Sequence, residues 1–185
     1  MLLIKLINNL PEEKKKIVIK GLSVNSKEIK KGYIFFAIKG IKHNGEKYIK
    51  EAIDKGASVI VSSKNPKFKN KKIIIIKKNN IRNFVSKVSS RFYKHKPKNI
   101  IAVTGTNGKT SVADLFYQLL SLNNVPVASI GTLGIKYNNK VIKTGLTSPD
   151  TIAIHRHLQN LKKNKIDNVI IEASSHGLTQ NRLHH

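Results

Sequence analysis

Residues 99–111, Asn-Ile-Ile-Ala-Val-Thr-Gly-Thr-Asn-Gly-Lys-Thr-Ser, run from a β-branched apolar stretch into a glycine-bracketed loop. An amphipathic helical pattern begins at about Ser111. Strand, phosphate loop and helix in that order constrain the rest of the chain more than any other stretch. Glycines let backbone N–H groups curl around phosphate oxygens, and the helix N-terminus adds the positive end of its dipole. Gly105, Thr106, Asn107, Gly108, Lys109, Thr110 and Ser111 are therefore the candidate nucleotide-binding residues. Lys109 is placed to reach the β- and γ-phosphates and is the catalytic candidate, and the Thr110 hydroxyl is placed to hold Mg2+. The general pattern G-x-x-x-x-G-K-[ST] asks for glycine at position 103, where Val103 stands, so the first glycine is Gly105. An ordinary strand-to-helix turn is the alternative, but it does not account for Lys and Thr at the one spot where phosphate chemistry wants them.

At 185 residues and 39% hydrophobic content, the chain can build one large domain or two small ones. It contains no cysteine, which excludes a disulfide framework and a thiolate metal site. Thirty-five Lys and Arg against ten Asp and Glu give a formal charge of +25. Such a charge suits nucleic acid or an anionic membrane surface. Lysine is, however, scattered through every segment, aromatics are only 6%, and Ile and Asn are also over-used, which reads as chain-wide bias. No specific nucleic-acid partner is expected. Residues 1–10 are apolar but interrupted by Lys5 and lack a small-residue cleavage site, so they read as a short docked helix. No run approaches the roughly 18 apolar residues of a membrane span, so no membrane insertion is expected, and the absence of cysteine leaves the cytoplasm as the default location.

The chain alternates strand-like and helix-like stretches. Ile17–Ile19, Leu22–Val24, Tyr33–Ile38, Ser58–Val61 and Ile73–Ile76 read as strands, and Tyr48–Lys55 as a helix with Ile49, Ala52 and Ile53 on one face, stopped by Gly56. Gly40 and Gly45 bracket a polar loop, and Lys64–Lys72 reads as a solvated one. Ile81, Phe84, Val85, Val88 and Phe92 recur at helical spacing, so a helix spans about Asn80 to Tyr93. The charged, proline-bearing connector Lys94–Lys98 suggests a domain boundary, giving 1–95 and 96–185. Beyond it come a helix over Ser111–Leu122, a strand at Val127–Ile130, a turn at Gly131–Gly134, and a hairpin of Ile135–Tyr137 with Val141–Lys143 through Asn138-Asn139. A helix opened by Thr147-Ser148-Pro149-Asp150 and a buried strand at Asn168–Ile171 complete a doubly wound pattern. The fold class is α/β: a small mixed N-terminal domain followed by a phosphate-loop domain with a largely parallel sheet.

In such sheets ligands collect beyond the carboxyl ends of the strands. Glu172, one of only ten acids, follows the last apolar strand. It could hold Mg2+ opposite Thr110 or serve as a surface partner for one of the many lysines. Thr147-Ser148-Pro149 carries two readings as well, since Ser148 as N-cap with proline in the first helical position is ordinary punctuation. His176, beside Gly177, is either an acid, base or ligand, or a hydrogen-bonded structural histidine.

Glu172-Ala173-Ser174-Ser175-His176-Gly177-Leu178-Thr179-Gln180-Asn181-Arg182 closely resembles the E-[AV]-S-S-H-G-L-x-Q-x-R block of the MurE branch of the Mur ligases. Gly105–Thr110 resembles that family's phosphate loop, which accommodates Val103. Leu146-Thr147-Ser148-Pro149-Asp150 resembles its T-T-P-D segment, with serine for the second threonine. Asn25-Ser26-Lys27 and Gly32-Tyr33-Ile34-Phe35-Phe36-Ala37 are similar to D-S-R and G-D-L-F-x-A, with Asn25, Lys27 and Tyr33 as departures. The resemblance implies a UDP-recognition domain followed by an ATP-binding central domain. It implies that Ser26, Thr147, Ser148, Ser174, Gln180 and Arg182 contact the UDP-linked substrate and that Thr110 and Glu172 bind magnesium. A guanidinium at Arg182 suits a carboxylate or phosphate through paired hydrogen bonds.

The activity so implied is ATP-dependent amide ligation in peptidoglycan synthesis. The carboxylate of UDP-N-acetylmuramoyl-L-alanyl-D-glutamate attacks the γ-phosphate of ATP, and the amine of a free amino acid, meso-diaminopimelate or L-lysine, displaces phosphate from the acyl phosphate. The cofactors implied are ATP and Mg2+, and a monomer is expected. Members of the family carry further central-domain residues and a third, C-terminal domain. The 185 residues are thus expected to be an N-terminal fragment, inactive alone and marginally folded beyond the first domain. The rivals are a folylpolyglutamate or cyanophycin synthetase-like ligase, against which the S-S-H-G-L block argues, and a nonenzymatic basic nucleotide-binding module.

Overall fold

The computed structural model describes residues 1–8, 10–40, 44–64, 73–143 and 150–179. Its chain divides into two compact units, Met1–Phe92 and Tyr93–His185.

The first unit is built on a four-stranded sheet of β1 (Gly21–Ser23), β2 (Tyr33–Phe36), β3 (Val59–Ser62) and β4 (Ile74–Lys77), ordered as in sequence and parallel throughout. Helices α1 (Glu12–Lys15), α2 (Ile49–Asp54) and α3 (Ile81–Phe92) accompany it. Ile49 and Ala52 of α2 join Phe35, Ala37 and Ile60 of the sheet region in one buried cluster, which is the face that the apolar spacing of the helix forecasts. In α3 the buried apolar residues are Ile81, Val85 and Val88, while Phe84 and Phe92 stay partly exposed and Ser86 and Ser89 are buried in their stead.

Of the docked helix expected at residues 1–10, the described residues form a single 3-10 turn, Leu3–Lys5, extended by Ile7 N donating to the Leu3 carbonyl at 3.0 Å. The N-terminal amine donates to the Ile19 carbonyl at 2.8 Å, and Leu3 N donates to the Ile17 carbonyl at 2.8 Å. Those backbone groups are therefore committed across the chain rather than along a helix, while Leu3, Leu6 and Ile7 are buried. The 65–72 part of the lysine-rich tract and residues 41–43 of the polar loop lie outside the described residues.

The second unit carries β5 (Asn99–Val103), α4 (Lys109–Leu122), β6 (Val127–Gly131), β7 (Gly134–Tyr137), β8 (Lys140–Ile142), α5 (Thr151–Lys163), β9 (Asn168–Glu172) and α6 (Ser175–Thr179). Sheet order is β5-β9-β6-β7-β8. β9 lies parallel between β5 and β6, whereas β6, β7 and β8 form an antiparallel meander. Asn138 and Asn139, with φ of 46° and 57°, make the two-residue turn between β7 and β8.

On α5, Ile154, Leu158 and Leu161 pack with Ala128, Ile130, Val169 and Ile171 into a single apolar cluster. Asp150 is the N-cap of α5, its side chain accepting from Ala153 N at 3.0 Å. The helix therefore starts later than the reading with Ser148 as cap, because a carboxylate three residues ahead of a free N–H satisfies it directly. β5 is an edge strand with Ile100 and Ile101 exposed, and Leu115, Leu119 and Leu122 of α4 are exposed as well. Among the described residues no helix is long and apolar enough to cross a membrane.

Candidate functional site

Placing β9 between β5 and β6 brings three carboxyl strand ends together. Val103 pairs with Glu172 on one side of β9, and Ile130 pairs with Ile171 on the other. Three segments therefore converge at one edge of the sheet: the loop 104–108 after β5, Thr132 after β6, and Glu172 as the last residue of β9. This is the edge where parallel α/β sheets collect ligands.

The loop runs from Gly105, at φ 150°, to Gly108, at φ 78°, the N-cap residue of α4. Nothing crowds a Cβ placed at Gly108, so its left-handed backbone, rather than lack of room, calls for glycine. The Lys109 ammonium donates to the Gly105 carbonyl at 2.6 Å and to the Thr106 carbonyl at 3.1 Å, which lays its stem along the loop. With the N-terminus of the fourteen-residue helix α4 behind it, the loop presents N–H groups, a cation and a dipole end to one small region. That donor set fits the phosphates of a nucleotide.

Thr110 Oγ1 donates to Glu172 Oε2 at 2.9 Å. Glu172 is almost wholly buried, and its carboxylate also accepts from Thr132 N at 3.0 Å, on Oε1, and from Thr132 Oγ1 at 3.1 Å, on Oε2. The carboxylate lies against Gly131, where a Cβ would fall 2.0 Å from Oε1. Thr110 and Glu172 are hard oxygen donors side by side, a set that suits Mg2+ when phosphate oxygens and water complete the shell. Among the described residues no group of three or more His, Cys, Asp or Glu could hold a metal, so a cation would depend on those phosphate oxygens.

Ser174 accepts from Gly177 N at 3.0 Å and so works as a helix cap for α6. Thr147, Ser148, Gln180 and Arg182 lie outside the described residues, as do the side chain of His176 and any choice between its two readings. Sequence reading passed over Thr132, treating Gly131–Gly134 as a plain turn. The available signal was a hydroxyl residue directly after the apolar strand Val127–Ile130, at the same end of the sheet as the phosphate loop.

In the first unit, Ser26 sits in a 3-10 turn after β1, where Asn25 Oδ1 accepts from Lys27 N at 3.0 Å. The Ser26 hydroxyl donates to Glu51 Oε2 at 2.7 Å, and Lys55 binds Glu51 Oε1 at 2.7 Å. The Lys55 bond first, and the Ser26 bond second, hold the Glu51 carboxyl below its ordinary value. Ser26 lines a pocket of about 360 Å³ with Val24, Asn25, Lys27, Ile38, Gly45 and Tyr48. Glu46, next in sequence to Gly45, accepts from Ser63 at 2.7 Å, the bond chiefly responsible for lowering its pKa.

Two family models match the chain: "Mur ligase family, catalytic domain" over residues 18–93 and "Mur ligase middle domain" over 103–185. The chain belongs to the Mur ligase family. Among its relatives are proteins named UDP-N-acetylmuramoyl-L-alanyl-D-glutamate--2,6-diaminopimelate ligase. That of Rickettsia montanensis is 40% identical over 169 residues, covering 89% of this chain and 35% of the relative. That of Zymomonas mobilis is 41% identical, covering 93% and 35%. A solved structure of a ligase of that name superposes with a TM-score of 0.83 at 26% identity, covering 99% of this chain and 38% of that one. A MurF ligase from Thermotoga maritima shares the fold at a TM-score of 0.56 and 23% identity. The chain thus spans about a third of the length of the curated relatives it matches.

Proposed function

We propose that the chain supplies the UDP-substrate-recognition and nucleotide-binding parts of an ATP- and Mg2+-dependent ligase that joins diaminopimelate to UDP-N-acetylmuramoyl-L-alanyl-D-glutamate in cytoplasmic peptidoglycan synthesis. The observation that carries this reading is the meeting of Thr110 with Glu172 at the mouth of the phosphate loop. Diaminopimelate, rather than lysine, follows the names of the relatives. Residues 1–95 form the UDP-recognition domain and 96–185 the start of the ATP-binding domain.

Bound ATP with Mg2+ supplies an electrophilic γ-phosphoryl group. The chain's own residues orient it. The loop N–H groups and the Lys109 ammonium stabilise the charge that builds on the transferring phosphoryl oxygens. Thr110 and Glu172 hold the magnesium. The hydroxyl of Ser26 spends its one proton on Glu51, so what it offers a ligand is an acceptor. An acceptor beside Tyr48 in a pocket of about 360 Å³ suits a uracil ring with its N–H. Thr147, Ser148, Ser174, Gln180 and Arg182 would contact the remainder of the UDP-linked substrate.

Fluorescence titration with Mg-ATP tests the reading. Lys109→Ala should weaken binding roughly 10- to 100-fold, the value of a charge-assisted hydrogen bond. Binding confined to DNA and lost steeply with salt would instead favour a basic binding module.

A further inference from the structure

Glu172 is only as useful as its orientation is fixed, and the residue that fixes it is not in the phosphate loop. The carboxylate stands at the end of β9 with its flanking strands ending beside it. Thr110 reaches one oxygen. Thr132 reaches both, through its backbone N–H to Oε1 at 3.0 Å and its hydroxyl to Oε2 at 3.1 Å. A two-point grip sets the plane of the carboxylate as well as its position, which one hydrogen bond cannot do. Gly131 complements the grip, because a Cβ at that position would lie 2.0 Å from Oε1 and force the carboxylate off its present line.

We infer that Thr132 is the positioning residue for Glu172, holding the carboxylate in the plane that lets it share magnesium with Thr110, and that Gly131 keeps open the space this requires. The inference rests on the nucleotide reading above and deepens it. The backbone half of the grip survives any substitution at 132. The hydroxyl half does not. Partners that orient metal ligands from behind change metal affinity by roughly 10- to 100-fold when removed, and with the N–H retained the lower end of that range applies.

The experiment is calorimetric titration of the 185-residue chain with ATP, with and without Mg2+, on wild type, Thr132→Val, Thr132→Ser and Gly131→Ala. A thermal melt of each variant verifies folding. The quantity read is the ratio of the two dissociation constants, that is, how much Mg2+ strengthens nucleotide binding. Thr132→Val keeps the β-branched shape and should lower that ratio about tenfold, leaving affinity for metal-free ATP unchanged. Thr132→Ser keeps the hydroxyl and should restore the ratio, which a purely structural role for the side chain would not do. Gly131→Ala should lower the ratio as Thr132→Val does. A normal ratio in Thr132→Val overturns the inference while leaving nucleotide binding intact, as does an equal loss in Thr132→Val and Thr132→Ser. If Thr132→Val does not fold, the Thr132→Ser and Gly131→Ala pair decides by the same ratio. Wild type that binds no ATP overturns the nucleotide reading itself, and this inference with it.

Discussion

Thr110 and Glu172, 62 residues apart in the chain, meet at 2.9 Å because the strand ending in Glu172 inserts beside the strand that feeds the phosphate loop. The carboxylate is buried and takes every one of its described bonds from N–H or O–H donors. Glu172→Gln keeps the shape but brings an NH2 group to a site of donors. It should reduce affinity for Mg-ATP roughly tenfold and leave affinity for ATP in EDTA within about twofold. Isothermal titration in the two buffers checks this, and equal losses in both would assign Glu172 a merely structural role.

Acid should destabilise the fold along two limbs. His157, half-buried on α5, has its pKa pushed below the ordinary 6.5 chiefly by burial, with Arg156 adding to the effect and Asp150 opposing it. The folded state then binds fewer protons than the unfolded chain as pH drops below about 6.5, so stability falls from there down through the folded pKa. His157→Gln should flatten the limb that begins below about pH 6.5, read as thermal midpoint against pH.

The second limb belongs to carboxylates. Asp114, bonded to Lys136 at 2.6 Å, and Asp167, bonded to Lys162, are both held below 3.8, in each case mainly by the lysine hydrogen bond. Their stabilisation is complete above that value and is lost as pH falls through the folded pKa. Asp114→Asn should therefore lower the thermal midpoint at pH 7 and leave it nearly unchanged near pH 2. A deficit of the same size at both pH values would contradict the assignment.

The side-chain oxygens of Ser86 and Ser89, buried on α3, find no hydrogen-bond partner among the described residues. Removing each hydroxyl removes an uncompensated desolvation cost and substitutes a better helix former. Ser86→Ala and Ser89→Ala should each raise stability by about 1 kcal/mol in urea unfolding. A loss of stability would mean that the hydroxyls are bonded in solution.

Two leucines in the second unit offer a contrast. Leu158 is 4% exposed and sits in the α5 cluster, whereas Leu119 on α4 is 61% exposed. Leu158→Ala should cost about 2–5 kcal/mol. Leu119→Ala should stay within about 0.5 kcal/mol. Comparable losses would show that the exposed face of α4 is covered in solution.

Local backbone chemistry was readable in the order of residues. The β-branched run 99–103, the glycines at 105 and 108, and the Lys-Thr after them specify strand, turn and helix through φ preferences and hydrogen-bond geometry confined to a dozen neighbours. The apolar spacing of 81–92 and the Asn138-Asn139 turn were legible for the same reason. How deeply each residue of that face is buried was not legible, because burial depends on what packs opposite: Phe84 and Phe92 are only partly buried while Ser86 and Ser89 are fully so. Nor could the cap at Asp150 be told from one at Ser148, since both obey the same rule and only the actual start of α5 separates them.

The site was legible in part: Glu172 could be read as a carboxylate opposite Thr110, with a surface ion pair as its alternative, but its meeting with Thr110 and the grip of Thr132 could not. Strand order is set by hydrogen bonds and side-chain packing between segments many tens of residues apart, and nothing in the local pattern of 168–172 says that it enters between β5 and β6. That insertion turns Glu172, one acid after an apolar strand, into a carboxylate gripped by Thr110 and Thr132. The residues carried the chemistry of the phosphate loop and offered Glu172 as its partner from the start, while the pairing of the sheet decided that the two meet and that Thr132 joins them.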